Sequence, residues 1–127
     1  MTAVTLPASE PSTWSWWEAR RLRYNIGLFV AGWAGFGLQV AALMLWARPA
    51  PDLVYMALWQ GLIYVLYMAA ANVAFLLGPT LEAVLKPRPV ESYRAQALRL
   101  GSILAMGLPV LVAGIFAVAI GWSANVG

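Results

Sequence analysis

Between Tyr24 and Ala47 the chain runs for 24 residues, YNIGLFVAGWAGFGLQVAALMLWA, without a charged side chain. As an α-helix rising 1.5 Å per residue, this run would be about 36 Å long, against a bilayer hydrocarbon core of about 30 Å. Two more stretches of the same kind follow, at 53–77 and 98–122, the last carrying only Arg99 near its start. A chain of 127 residues has too little polar sequence to wrap three such helices in a water-soluble shell.

Charge distribution leads to the same conclusion. Only 10% of the residues are charged, against about 25% in a soluble domain. Those charges collect at 10–23, 48–52 and 82–99, and the remainder is bare. The expected fold is an all-α integral membrane protein with three transmembrane helices, 24–47, 53–77 and 98–122, which together form one transmembrane domain over 24–122. Residues 1–23 are read as a tail plus a short amphipathic interfacial helix, and 123–127 as a short external tail. The apolar run is too long, and lies too far from the start, for a cleaved signal peptide, so a retained signal-anchor helix is expected.

The cations set the orientation. Arg20, Arg21 and Arg23 precede the first span, and Lys86, Arg88, Arg94 and Arg99 return to the same side; Arg48 stands alone opposite. Basic residues concentrate on the cytoplasmic side, which predicts N-in and C-out. The same bias accounts for the net charge of +3 without nucleic acid, which would need a basic face on a folded domain.

The chain has no cysteine and no histidine. A disulfide scaffold, a Cys/His zinc site, a cysteine nucleophile and histidine-ligated haem are therefore excluded. Nothing in the sequence argues for another metal or a cofactor, and none is expected. Metalloprotease, nucleophile-elbow and phosphate-loop motifs are missing as well, and no carboxylates pair at helical spacing. The sequence leaves open whether the chain is an enzyme and favours a non-enzyme.

Ahead of the first span, Ser12, Thr13 and Ser15 can cap a helix over WSWWEARRLRY. Trp14, Trp17, Arg21 and Tyr24 recur at three- and four-residue spacing, with Trp16, Arg20 and Arg23 on the adjoining face. Amphipathic aromatic rings and arginines suit the headgroup level, so Trp14, Trp16, Trp17, Arg20, Arg21 and Arg23 are read as an interfacial anchor in contact with lipid. Glu18 tempers this charge or pairs with one arginine.

Polar residues within and beside the spans are few. Asn25, Gly32 and Gln39 repeat every seven residues, and Gly27, Ala31 and Gly35 form a stripe of small residues that lets another helix come close. After the proline-rich loop 48–52, where Asp52 can cap the second helix, Gln60, Tyr64, Tyr67, Ala71, Ala74, Gly78 and Glu82 line one face, with Asn72 on another. Pro79 ends or kinks this helix. In the third span Pro109 predicts a kink, and Ala113, Ala117 and Gly121 form a further small stripe.

The candidate functional or interhelical polar residues are thus Asn25, Gln39, Gln60, Tyr64, Tyr67, Asn72 and Glu82. Three of them, Asn25, Asn72 and Glu82, fall in two patterns that look like a signature: W-W-E-x-R-R-x-x-Y-N over 16–25 and N-x5-G-P-x-x-E over 72–82. Glu82 is expected to pair with Arg20, Arg23 or Lys86, with Asn25 as a further partner. Gln39 and Gln60 are candidates to bond each other.

Three functions compete. Small-residue faces without a catalytic set favour a structural, accessory or assembly subunit of a larger membrane complex. Alternatively, the Gln60–Tyr64–Tyr67–Glu82 face lines a path in a small oligomeric channel or carrier. Least favoured is a lipid-binding protein or membrane enzyme built on Glu82, Asn25 and the Arg20–Arg23 cluster. Membrane lipids, other membrane subunits or further copies of the chain are the expected partners. The Ala/Gly-rich composition suggests a bacterial inner membrane.

Overall fold

The computed structural model describes residues 12–127, so the expected tail over 1–11 lies outside the described residues. Four helices follow one another: α1 (Thr13–Trp46), α2 (Leu53–Phe75), α3 (Leu77–Leu85) and α4 (Val90–Val126). The described residues are all-α, with three helical stretches long and apolar enough to cross a membrane: Thr13–Trp46, Leu53–Leu85 and Val90–Val126.

The helix starts follow local chemistry. Ser12 caps α1, its hydroxyl accepting from the Ser15 amide at 3.3 Å. Asp52 caps α2, one carboxylate oxygen accepting from the amides of Val54 and Tyr55 at 3.0 and 3.1 Å. A side-chain acceptor here takes up amide donors that have no carbonyl partner in the first turn.

Three boundaries differ from the sequence reading. The segment 13–23 is not a separate helix; α1 runs through it into the apolar stretch without a break. No proline lies between Thr13 and Trp46, and nothing else in that interval interrupts the backbone ladder. The second span breaks at Leu76, three residues before Pro79. A proline ring clashes with the carbonyl four residues earlier, here that of Phe75, and α2 ends at that residue. Pro79 then sits in the first turn of α3, where a missing N–H removes no helical bond. The third helix begins at Val90 rather than 98 and continues through Pro109.

α1 and α4 run parallel and share the longest interface in the molecule, although 43 residues separate them in the chain. Small residues make the close approach possible. A Cβ on Gly35 would lie 3.3 Å from the Pro109 carbonyl oxygen and 3.6 Å from the Ala113 side chain. A side chain on Gly27 would collide with Met106, and Gly121 faces Trp46. The Gly27–Ala31–Gly35 stripe thus meets the Pro109–Ala113–Gly121 side of α4. The antiparallel α1 and α2, despite their short connection, meet mainly in the half nearest α3.

The core is concentrated at that end. Trp17, Tyr24, Leu28, Ala71 and Phe75 are buried together, flanked by Tyr67, Tyr93 and Met106. The aromatic rings interlock: Trp17 meets Phe75 edge-on at 5.5 Å, and Tyr24 lies 4.9 Å from the same ring.

Candidate functional site

Glu82 projects from α3 into this packed end and is only 4% exposed. The tight connection 86–89 turns the chain so that Arg94, near the start of α4, comes back over it. Arg94 is equally buried, at 5%. Its Nε donates to both carboxylate oxygens at 3.0 and 3.1 Å, and its Nη2 donates to Oε1 at 2.6 Å. Two side chains from α1 complete the shell. The Trp17 indole Nε1 donates to Oε2 at 2.8 Å, and the Thr13 hydroxyl donates to Oε1 at 2.9 Å. One carboxylate thereby ties α1, α3 and α4 together.

The surroundings are aromatic. Trp16 stands edge-on to Trp17 at 5.0 Å. It carries the Arg20 guanidinium 3.7 Å above its ring and has Arg94 at 5.4 Å. Cation–π contacts of this kind help hold charge in a poorly hydrated setting. Gly78 is what lets Trp17 in: a Cβ there would overlap the far edge of the indole.

About two turns deeper, Asn25 and Asn72 form a reciprocal amide pair. Each Nδ2 donates to the other's Oδ1, at 3.0 and 2.6 Å. The second donor of each goes to its own helix, to the carbonyls of Arg21 and Met68.

Four tyrosine hydroxyls donate to backbone carbonyls of neighbouring helices. Tyr24 reaches Ala71 at 3.1 Å, and Tyr93 reaches Gly78 at 3.0 Å. Tyr64 reaches Leu28, and Tyr67 reaches Ala105. The last has a specific cause. Pro109 has no N–H to offer the carbonyl four residues before it, and that carbonyl belongs to Ala105.

The expected residues are therefore brought together in part. Glu82 takes Arg94, Trp17 and Thr13, not Arg20, Arg23 or Lys86, because the reverse turn after α3 delivers Arg94 first. Asn25 bonds Asn72 rather than Glu82. Gln39 and Gln60 share no hydrogen bond; α1 and α2 come apart beyond Gly32 and Tyr64, and a groove of about 270 Å³ opens between them beside Gln60. In the proposed anchor, Trp17 is buried while Trp14 is half exposed. Glu18 pairs with Arg21 at 2.8 Å on the surface.

Arg94, Thr13, Tyr24 and Tyr93 are the site residues that sequence reasoning missed. A usable signal existed for Arg94. It and Glu82 stand six residues to either side of Arg88, in the Lys86-Pro87-Arg88-Pro89 turn, and so face each other when that turn closes. The two signature patterns also meet: 17 lies against 78 and 82, 24 against 75, and 25 against 72.

Among the described residues no three carboxylate, histidine or cysteine side chains gather as a metal site would require. Chemically, the carboxylate is well occupied, accepting from three side chains and only 4% exposed, although an open depression lined by Thr13, Lys86, Arg88, Glu91 and Arg94 lies beside it. No protein-family model matches the chain, nor does any curated protein or solved structure.

Proposed function

We propose that this protein is a non-catalytic accessory or assembly subunit of a membrane complex, oriented with its N-terminus in the cytoplasm and its C-terminus outside. A bacterial inner membrane is the proposed location. The observation that carries this reading is that the polar side chains of the packed end already have partners. Glu82, Arg94, Asn25, Asn72, Tyr64 and Tyr67 all have partners within the chain. A catalytic or conducting role would need some of them turned toward a substrate or a path.

The outer faces give the second support. Side chains added at Gly37, Gly61, Gly101, Gly107 or Gly114 would meet nothing within 4 Å. Small residues on helix faces suit close approach by another helix, and in this chain these five are unmatched. Bulk lipid covers such faces in a monomer, and neighbouring subunits cover them in a complex.

The test is gentle extraction into native nanodiscs, followed by identification of every co-purifying chain. The proposal expects a stoichiometric set of unrelated membrane proteins. A particle containing this chain alone would overturn it.

A further inference from the structure

A mostly apolar groove of about 270 Å³ opens between α1 and α2 within the apolar spans. Phe29, Trp33 and Phe36 form one wall, and Gln60, Gly61 and Tyr64 the other. The three α1 rings stack edge-on in a ladder, 6.2 and 6.1 Å apart. Trp33 is 62% exposed near the middle of the uncharged run, although tryptophan favours the membrane interface over its centre. Gly61 leaves the opposite wall open, with no atom within 4 Å of where a Cβ would stand.

Hydrogen bonding singles out Gln60. The Tyr64 hydroxyl is turned out of the groove onto the Leu28 carbonyl. The Gln60 amide has no partner among the described residues, yet it lies where water is scarce. Leaving an amide unbonded in an apolar medium is costly. Phospholipid chains would fill the groove without meeting that need.

We propose that this groove binds a neutral, lipid-soluble molecule of one or two fused rings with a carbonyl or hydroxyl at its edge. The ring body packs edge-to-face or offset against Phe29, Trp33 and Phe36, as aromatic pairs prefer. The Gln60 amide, which both donates and accepts, bonds the polar edge. The volume sets the size: about 270 Å³ lies just below the usual range of small-molecule pockets, about 300–1,000 Å³. A charged headgroup has no counter-ion here, so the ligand is neutral. The proposal goes beyond the subunit reading, which rests on the Glu82 cluster, and either can fail without the other.

The test uses the full chain in nanodiscs, titrated with 2-methyl-1,4-naphthoquinone as the probe and read by quenching of tryptophan fluorescence. Wild type is compared with Gln60→Leu and Gly61→Leu, with helix content and particle size checked for each. The expected result is saturable quenching in wild type, an affinity about tenfold weaker in Gln60→Leu as one hydrogen bond is lost, and no saturation in Gly61→Leu, whose side chain fills the groove. Quenching linear in probe and equal in all three chains is partition into the bilayer and overturns the proposal. Saturation unaffected by either substitution places binding elsewhere and also overturns it. So does efficient Gln60→Cys cross-linking between copies in discs that show no saturable quenching, because a second copy then occupies the groove.

Discussion

The hydroxyl of Tyr67 on α2 donates to the carbonyl of Ala105 on α4, the carbonyl that Pro109 leaves without its helical partner. In lipid such a backbone group has no water to turn to, and prolines persist in spanning helices where a neighbour takes up the freed acceptor. Tyr67 and Pro109 are therefore expected to be thermodynamically coupled. Tyr67→Phe alone should destabilise the protein by about 1–2 kcal/mol, an interhelical bond in a membrane being worth about 0.6–2 kcal/mol. In a Pro109→Ala background, where residue 109 regains an N–H, the same substitution should cost clearly less. Reversible unfolding in bicelles measures all four chains of the cycle; strict additivity would refute the coupling.

Asn25 and Asn72 should behave as a pair. Either Asn→Leu substitution strands the other amide in the packed end, at about 1–3 kcal/mol. The double substitution removes both polar groups and should recover most of that loss. Melting of single and double variants in detergent checks this, and a double variant as unstable as the sum of the singles would count against it.

Glycines should divide by environment. Gly78→Ala presses on a Trp17 ring that is 2% exposed and held by its bond to Glu82, so the ring cannot simply move aside. Overpacking of this kind costs about 1–3 kcal/mol. Gly37→Ala and Gly107→Ala meet nothing and should be neutral or stabilising, alanine being the better helix former by about 1 kcal/mol. If the proposed complex forms across the Gly107 face, Gly107→Leu should lower the yield of co-purifying chains while leaving this chain folded.

If all three apolar helices cross the membrane, as proposed, the two termini lie on opposite sides. A fluorescent-protein fusion at the N-terminus and a periplasmically active phosphatase at the C-terminus should both report activity in bacteria. Activity in the swapped arrangement would contradict the orientation.

The all-α fold with three helices long and apolar enough to cross a membrane was legible because it follows from a one-dimensional property, uncharged length. The Ser12 and Asp52 caps were legible because capping is local. Glu82 stood out as the carboxylate that continues the Gln60–Tyr64–Tyr67 face, but its partner did not, because which of several cations reaches it depends on how the 86–89 connection closes. Gln39 and Gln60 were paired from antiparallel register alone. Register cannot reveal that α1 gives its closest contact to α4, a choice made by three-dimensional complementarity between Gly35 and the Pro109–Ala113 surface. The tyrosines were visible as a stripe, but the carbonyls they serve belong to other helices and leave no mark in the local sequence.

The central claim is that the buried Glu82–Arg94 pair is a scaffold joint. Its most direct test is a double-mutant cycle of Glu82→Gln, Arg94→Met and the two combined, read as unfolding free energy in bicelles. Each single substitution leaves a buried charge unpaired and should destabilise by about 3–5 kcal/mol, whereas the combined variant should cost less than the sum by at least about 2 kcal/mol. Two single variants as stable as wild type, with additive effects, would contradict the joint and return Glu82 to the candidates for chemistry.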